Sequence, residues 1–276
     1  MSFIVVSRVF TAALAVYGTY ALWQLPSLSI ADLVEQYSGL TIALKCCVLG
    51  NIAFWICSII CVILDIFPRS TALGKWLHAS KIQHKYFSVG NYVDTACVAA
   101  FNMILIAPLL CIPYESAWAS GVGGLYNRTQ EEDPFNWWRE ILNVLGSAVI
   151  VNLWFYWTHR LIHNEKLYAP IHKIHHKWQA PCSAAAVFAH PVEYALSNVA
   201  GIALGPMLTN AHPYTAYFWF MLALVQTCRG HSGYHFLGAD SHDAHHEFFN
   251  YNFGVGPVCD RLFGTLLPKE KEHKFD

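Results

Sequence analysis

His159 and His163 stand four residues apart, and the same HxxxH spacing returns in His231-Ser232-Gly233-Tyr234-His235. Two HxxHH triplets accompany them: His172, His175 and His176, then His242, His245 and His246. On a helix, positions i, i+3 and i+4 share a face, so each motif can offer two or three imidazoles to one point. Neutral imidazole is a good donor to iron, zinc, copper and nickel. One such motif arises easily by chance; four between residues 159 and 246 do not. A single ion takes about four to six ligands, so ten histidines point to two ions. A zinc hydrolase would set a carboxylate base beside its ligands, as in HExxH, and no HExxH occurs. Carboxylate-bridged di-iron bundles need Glu-x-x-His, which is absent between His159 and His246. Two redox-active irons in an all-nitrogen site can bind and split dioxygen, the step needed to attack an unactivated C–H bond. The motifs thus read as a histidine-ligated di-iron centre.

The elements that carry them are apolar. Hydrophobic residues make up 55% of the 276 and charged residues 13%, against roughly 25% charged in ordinary soluble domains. Lipid is therefore the expected solvent. The runs 3–25, 46–67, 95–114 and 143–157 approach the length of about 20 residues that crosses a bilayer as a helix. A fifth apolar region, 187–228, breaks near His212 and Pro213 into two arms. The expected fold is all-α, with four to six transmembrane segments beneath a histidine-rich cap. Loop 68–91 holds Arg69, Lys75, Lys81 and Lys85 without an acid, and loops 26–42 and 115–133 are mainly acidic. By the positive-inside rule the first is cytosolic and the others lumenal, which places every clustered histidine on the cytosolic side. Asn127-Arg128-Thr129 in the lumenal loop is a glycosylation candidate.

Three further residues belong in the neighbourhood. His190 is a possible additional ligand or supporting partner, and Glu193 or Asp243 could accept the second N–H of a metal-bound imidazole. His78, His84 and His273 lie outside every motif and read as solvated, and His212 as structural. Nine cysteines lie mostly in apolar runs with no CxxC pair, which reads as buried small side chains. The net charge of −1 leaves no basic footprint for nucleic acid. No nucleotide-binding glycine motif or haem-attachment CxxCH is present, so electrons must come from an external donor.

The order His159-Arg-Leu-Ile-His163, His172-Lys-Ile-His-His176, Ala189-His-Pro-Val-Glu193, His231 to His235, His242-Asp-Ala-His-His246 and Asp260-Arg-Leu-Phe-Gly-Thr265 resembles the fatty acid hydroxylase and sterol desaturase superfamily, especially its 4-methyl sterol oxidase-like branch. The resemblance covers about residues 143–266 and implies a multi-pass protein of the endoplasmic reticulum membrane. It further implies two iron ions facing the cytosol, dioxygen as co-substrate, a sterol or acyl lipid as substrate, and electrons from a b-type cytochrome and its NAD(P)H reductase. Carried over by motif, the ligands are His159, His163, His172, His175, His176, His231, His235, His242, His245 and His246. Sterol oxidases generally have an acidic residue where this chain has His235, so the substrate stays open between sterols and fatty acyl or sphingolipids, and the reaction between hydroxylation and desaturation. The expected organisation is a membrane region at 1–142, the di-iron domain at 143–266 and a cytosolic tail at 267–276. A histidine-rich metal transporter is the rival of another class; it would place its ligands within the spans, whereas these follow span ends.

Overall fold

The computed structural model describes residues 2–24, 38–85, 87–119 and 134–268. Asn127, His273 and the tail beyond residue 268 lie outside them. All regular elements among the described residues are helical, with one isolated antiparallel bridge between Lys81 and Tyr234.

Local capping chemistry sets most helix starts. Helix α1 spans Phe3–Gln24. Helices α2 (Ile42–Ile66), α3 (Ala72–Ala79), α4 (89–119) and α5 (Trp137–Ile162) begin where Thr41, Thr71, Ser88 and Asn136 accept a backbone N–H of the first turn. The two arms of the hairpin, α6 (191–208) and α7 (Pro213–Gly230), each open on His-Pro. His190 Nδ1 accepts from Val192 N and His212 Nδ1 from Tyr214 N, both at 3.2 Å, while the prolines occupy first-turn positions that need no donor. Two helices contain a single wider π turn, Phe101–Ile106 in α4 and Tyr194–Val199 in α6.

Among the described residues three helices are long and apolar enough to cross a membrane: α2, the Val89–Pro113 stretch of α4, and α5. The apolar part of α1 is shorter, Phe3–Thr19. The hairpin arms are less apolar because they carry Glu193, Asn198, Thr215, Gln226 and Thr227. Three of the four to six expected segments thus have full crossing character among the described residues. On α2, Ile52, Ile56, Ile59, Ile60 and Ile63 are all more than half exposed. In water such a stripe would be an aggregation surface; in hydrocarbon it is a lipid-facing wall.

The arms pack along the long helices, α7 on α2 and α6 on α5. Lipid provides no hydrophobic drive between helices, so close approach must come from small residues. At the α5–α6 seam a Cβ on Gly205 would sit 2.7 Å from the Ser147 Cβ. Polar locks fix both ends of the assembly. Glu140 Oε2 accepts His212 N–H at 2.9 Å, tying the hairpin turn to the start of α5. At the other end Lys81 pairs with Asp65 and donates to Ser232 O at 3.1 Å, and the hydroxyls of Tyr92 and Tyr234 donate to the two oxygens of Asp65 at 2.9 Å. This network moors the 231–235 loop to the end of α2. Between the long helices lies a slot of about 460 Å³.

Candidate metal centre

The histidines come from four backbone settings. His159 ends the inward face of α5 and His163 caps it. His172, His175 and His176 lie on a tight 3₁₀ turn, His231 caps α7, and His242, His245 and His246 lie on α8 (Asp240–Phe248). They form two groups, each with its donor atoms within 4.8 Å of one another: His159, His163, His172, His176 and His245 in the first, and His175, His231, His242 and His246 in the second. Each HxxHH triplet therefore splits, with neighbours His175 and His176 turned to different groups. The groups are adjacent, the His176 and His246 ring centroids being 4.8 Å apart.

Hydrogen bonding fixes the rings. Nδ1–H donates to a backbone carbonyl from His159 (Phe253 O, 2.7 Å), His245 (Tyr251 O, 2.7 Å), His231 (Thr227 O, 2.8 Å), His246 (Trp178 O, 3.0 Å) and His175 (Phe188 O, 3.4 Å). His172 Nδ1 lies 2.8 Å from Oε1 of the buried Glu193. A proton on Nδ1 leaves the lone pair on Nε2. The inward Nε2 atoms of these rings then face each other as lone pairs, at 3.2 Å for His159 and His172 and 3.4 Å for His175 and His231. Facing lone pairs repel, and a cation between them removes the repulsion. Nitrogens bound at about 2.0–2.1 Å to one first-row ion stand roughly 3.0–3.4 Å apart, so the spacing fits metal ligation.

Burial keeps the rings in the donor form. It pushes His172, His175, His176, His242, His245 and His246 well below the usual imidazole range, His231 to about 4, and His163 to about 2.

Nine of the ten motif histidines are thus brought together. His235 is not: it lies outside both groups, its side chain 44% exposed and paired with Asp240. The physical reason is that α7 ends at Gly230 and Gly233 adopts φ +70°, so four-residue spacing no longer means a shared helical face. His190 also lies outside both groups, used as a helix cap. Glu193 reaches His172, while Asp243 accepts from Gln83 Nε2 at 2.6 Å, joining α8 to the 80–85 segment. His78 and His84 stand beside each other, ring centroids 4.8 Å apart, outside both groups.

The support that sequence reasoning missed lies behind the rings. Asp260 accepts from the N–H groups of Phe253 and Gly254 and from Thr265 Oγ1 at 2.7–2.9 Å. Asn252, at φ 57°, accepts Leu267 N–H at 2.8 Å. Together they hold the strand of chain whose carbonyl at Phe253 orients His159. The position of Asp260 at the head of Asp-Arg-Leu-Phe-Gly-Thr was the available signal. The carbonyl acceptors themselves carry no side-chain signature.

The slot ends at these groups. Its lining includes His231 and His242, and Phe155, Ser197 and Thr227 also border a smaller hollow that touches His159, His172 and His175.

The fatty acid hydroxylase family profile matches residues 144–265. Fatty acid hydroxylase domain-containing protein 2 of Homo sapiens is 40% identical over 181 residues, covering 64% of this chain and 51% of that protein. Methylsterol monooxygenase 1 of Rattus norvegicus is 36% identical over 141 residues, 47% of this chain and 48% of its own. Very-long-chain aldehyde decarbonylase GL1-11 of Oryza sativa subsp. indica is 34% identical over 148 residues, 48% and 55% respectively. The chain spans about half the length of these curated relatives, and no solved structure matches it.

Proposed function

We propose, on the premise that residues 144–265 form a domain of the fatty acid hydroxylase family in the sterol desaturase superfamily, that this chain is a membrane oxygenase which oxidises a lipid C–H bond at a pair of iron ions. The single observation that carries the reading is the convergence of nine inward-facing imidazoles at the end of an apolar slot. When bound, two irons supply the dioxygen activation that an unactivated C–H bond requires. The first ion would be held by His159, His163, His172, His176 and His245, and the second by His175, His231, His242 and His246.

The remaining work falls to the protein. Carbonyls of Phe253, Tyr251, Thr227 and Trp178 hold the ring tautomers, and Glu193 sets His172. The slot's apolar walls, among them Ala203, Met207 and Phe220, exclude water and seat the hydrocarbon. For hydroxylation, one oxygen atom of dioxygen enters the C–H bond and the other leaves as water, with two electrons and two protons drawn from a donor. That donor is a b-type cytochrome fed by an NAD(P)H reductase. The catalytic unit is 143–266, the site faces the cytosol, and the membrane is that of the endoplasmic reticulum. A 4-methyl sterol is the first substrate to test, with fatty acyl and sphingolipids next.

The purified protein is expected to hold about two irons per chain. His172→Ala or His245→Ala should abolish product in cells at unchanged protein level; full activity in both variants rejects the reading. Product mass separates hydroxylation, a gain of one oxygen, from desaturation, a loss of two hydrogens. Placement of the rings at and beyond span ends, not at mid-span, weighs against a transporter.

A further inference from the structure

The slot is polarised along its length. Its deep end is lined by Ala43, Cys46, Ala203, Met207 and Phe220, whereas Gln226, Arg229, Gly238 and Ser241 line the other end and are exposed. The exposed end is the mouth. His231 and His242 adjoin it, and His231 follows Arg229 by only two residues along the chain. A lipid lying in the slot with its tail in the deep end therefore brings its polar end to the mouth, beside the second histidine group.

Among the described residues lining the slot, Arg229 is the sole Lys, Arg, Asp or Glu. A charged side chain at a membrane margin usually extends toward lipid phosphates. This one is folded onto the rim: Nε donates to Gln226 Oε1 at 2.6 Å and Nη1 to Leu237 O at 2.5 Å. Those bonds leave Nη2 for a ligand. Gly238, at φ +70°, provides the room, since a Cβ there would stand 2.5 Å from Arg229 Nη1. A braced guanidinium over bare backbone is a preorganised donor for an oxygen-bearing headgroup, and charge-assisted bonds of this kind are the strong ones.

We infer that Arg229, braced by Gln226 and admitted by Gly238, is a specificity-determining residue that binds a hydroxyl or carboxylate headgroup of the substrate at the mouth, so that oxidation falls on headgroup-proximal carbon. This rests on the oxygenase reading for its chemistry and on the slot alone for its binding.

The test uses the full chain in detergent and three brominated probes that quench tryptophan: a bromine-tagged stearic acid, the matching stearyl alcohol, and a headless brominated octadecane. Trp219 lines the slot and Trp219→Phe removes the quenching that reports on it. Arg229→Leu is expected to weaken the acid or the alcohol about tenfold, roughly 1.4 kcal/mol, and to leave the headless probe unchanged. Arg229→Lys should restore part of the acid's affinity, and Gly238→Ala should act in the same direction as Arg229→Leu. Whichever headed probe responds more identifies the oxygen as hydroxyl or carboxylate. Equal weakening of all three probes marks a structural role, and no change in any marks an arginine that serves bulk lipid; either result overturns the inference. Headgroup-selective binding retained in inactive His172→Ala keeps this outcome separate from that of the oxygenase reading. In turnover, Arg229→Leu should raise KM more than it lowers kcat and scatter the oxidised position.

Discussion

Five imidazoles surround the first point and four the second, and the residues lining the wide slot include members of the second group alone. The first group draws on α5, the 3₁₀ turn and α8, so its rings close in from three sides. The second has four rings, and His235, the tenth motif histidine, pairs with Asp240 outside both groups. A metal point enclosed by protein donors suits retention, and one left a donor short beside a cavity suits access by a small reactant. One sequence pattern, HxxxH followed by HxxHH, has thus produced two unlike halves because a helix continues through His159 and stops before His231.

Removing a ring from the poorer half should have the largest effect on iron content. His231→Ala or His242→Ala leaves three donors, so iron is expected to fall by about one per chain, read by metal analysis, with product at background. His163→Ala, like His172→Ala and His245→Ala, leaves four donors in the richer half, so iron content should stay near wild type even though product falls to background. Equal iron loss in both variants would break the distinction between the halves. Next comes Glu193→Gln, which keeps shape but weakens the acceptor at His172 Nδ1; losses of about 10–100-fold in metal affinity or activity are expected from such outer partners, measured by competition with a chelator. Asp260→Asn comes after it. Loss of one of its three accepted bonds should lower thermal stability by about 1–3 kcal/mol and loosen the 252–254 segment, seen as faster amide exchange there. Smallest is His235→Ala, expected to change iron content not at all and turnover by less than about twofold, as for a surface residue. Iron loss in His235→Ala would restore it to the second group.

Much of this was legible in the residues. The apolar runs announced helices, and the break near His212 and Pro213 marked the turn of the hairpin. Spacing named ten histidines, and nine of them converge, since imidazoles at i and i+4 on α5 and α8 share a face. The partition into two groups was not legible: spacing puts the rings of a triplet on neighbouring faces but does not say which point each serves, and the triplet on the 3₁₀ turn splits just as the one on α8 does. The displacement of His235 depended on a left-handed glycine, which a motif search treats as filler. Backbone carbonyls chose the tautomers, and their positions follow from tertiary packing, not from side-chain identity. Arg229 gained its interest only when folding set it at the rim beside Gly238.

The two π turns have a consequence of their own. Each holds one residue more than regular winding allows, and each contributes to the slot wall, through Met103 in α4 and through Tyr194, Ser197, Asn198 and Val199 in α6. Excising a single residue at either turn would restore ordinary α-helix and rotate everything beyond it by about 100°. A one-codon deletion there would reshape the chamber wholesale while leaving both helices intact, which makes these turns the natural places to re-tool the scaffold for a differently shaped guest.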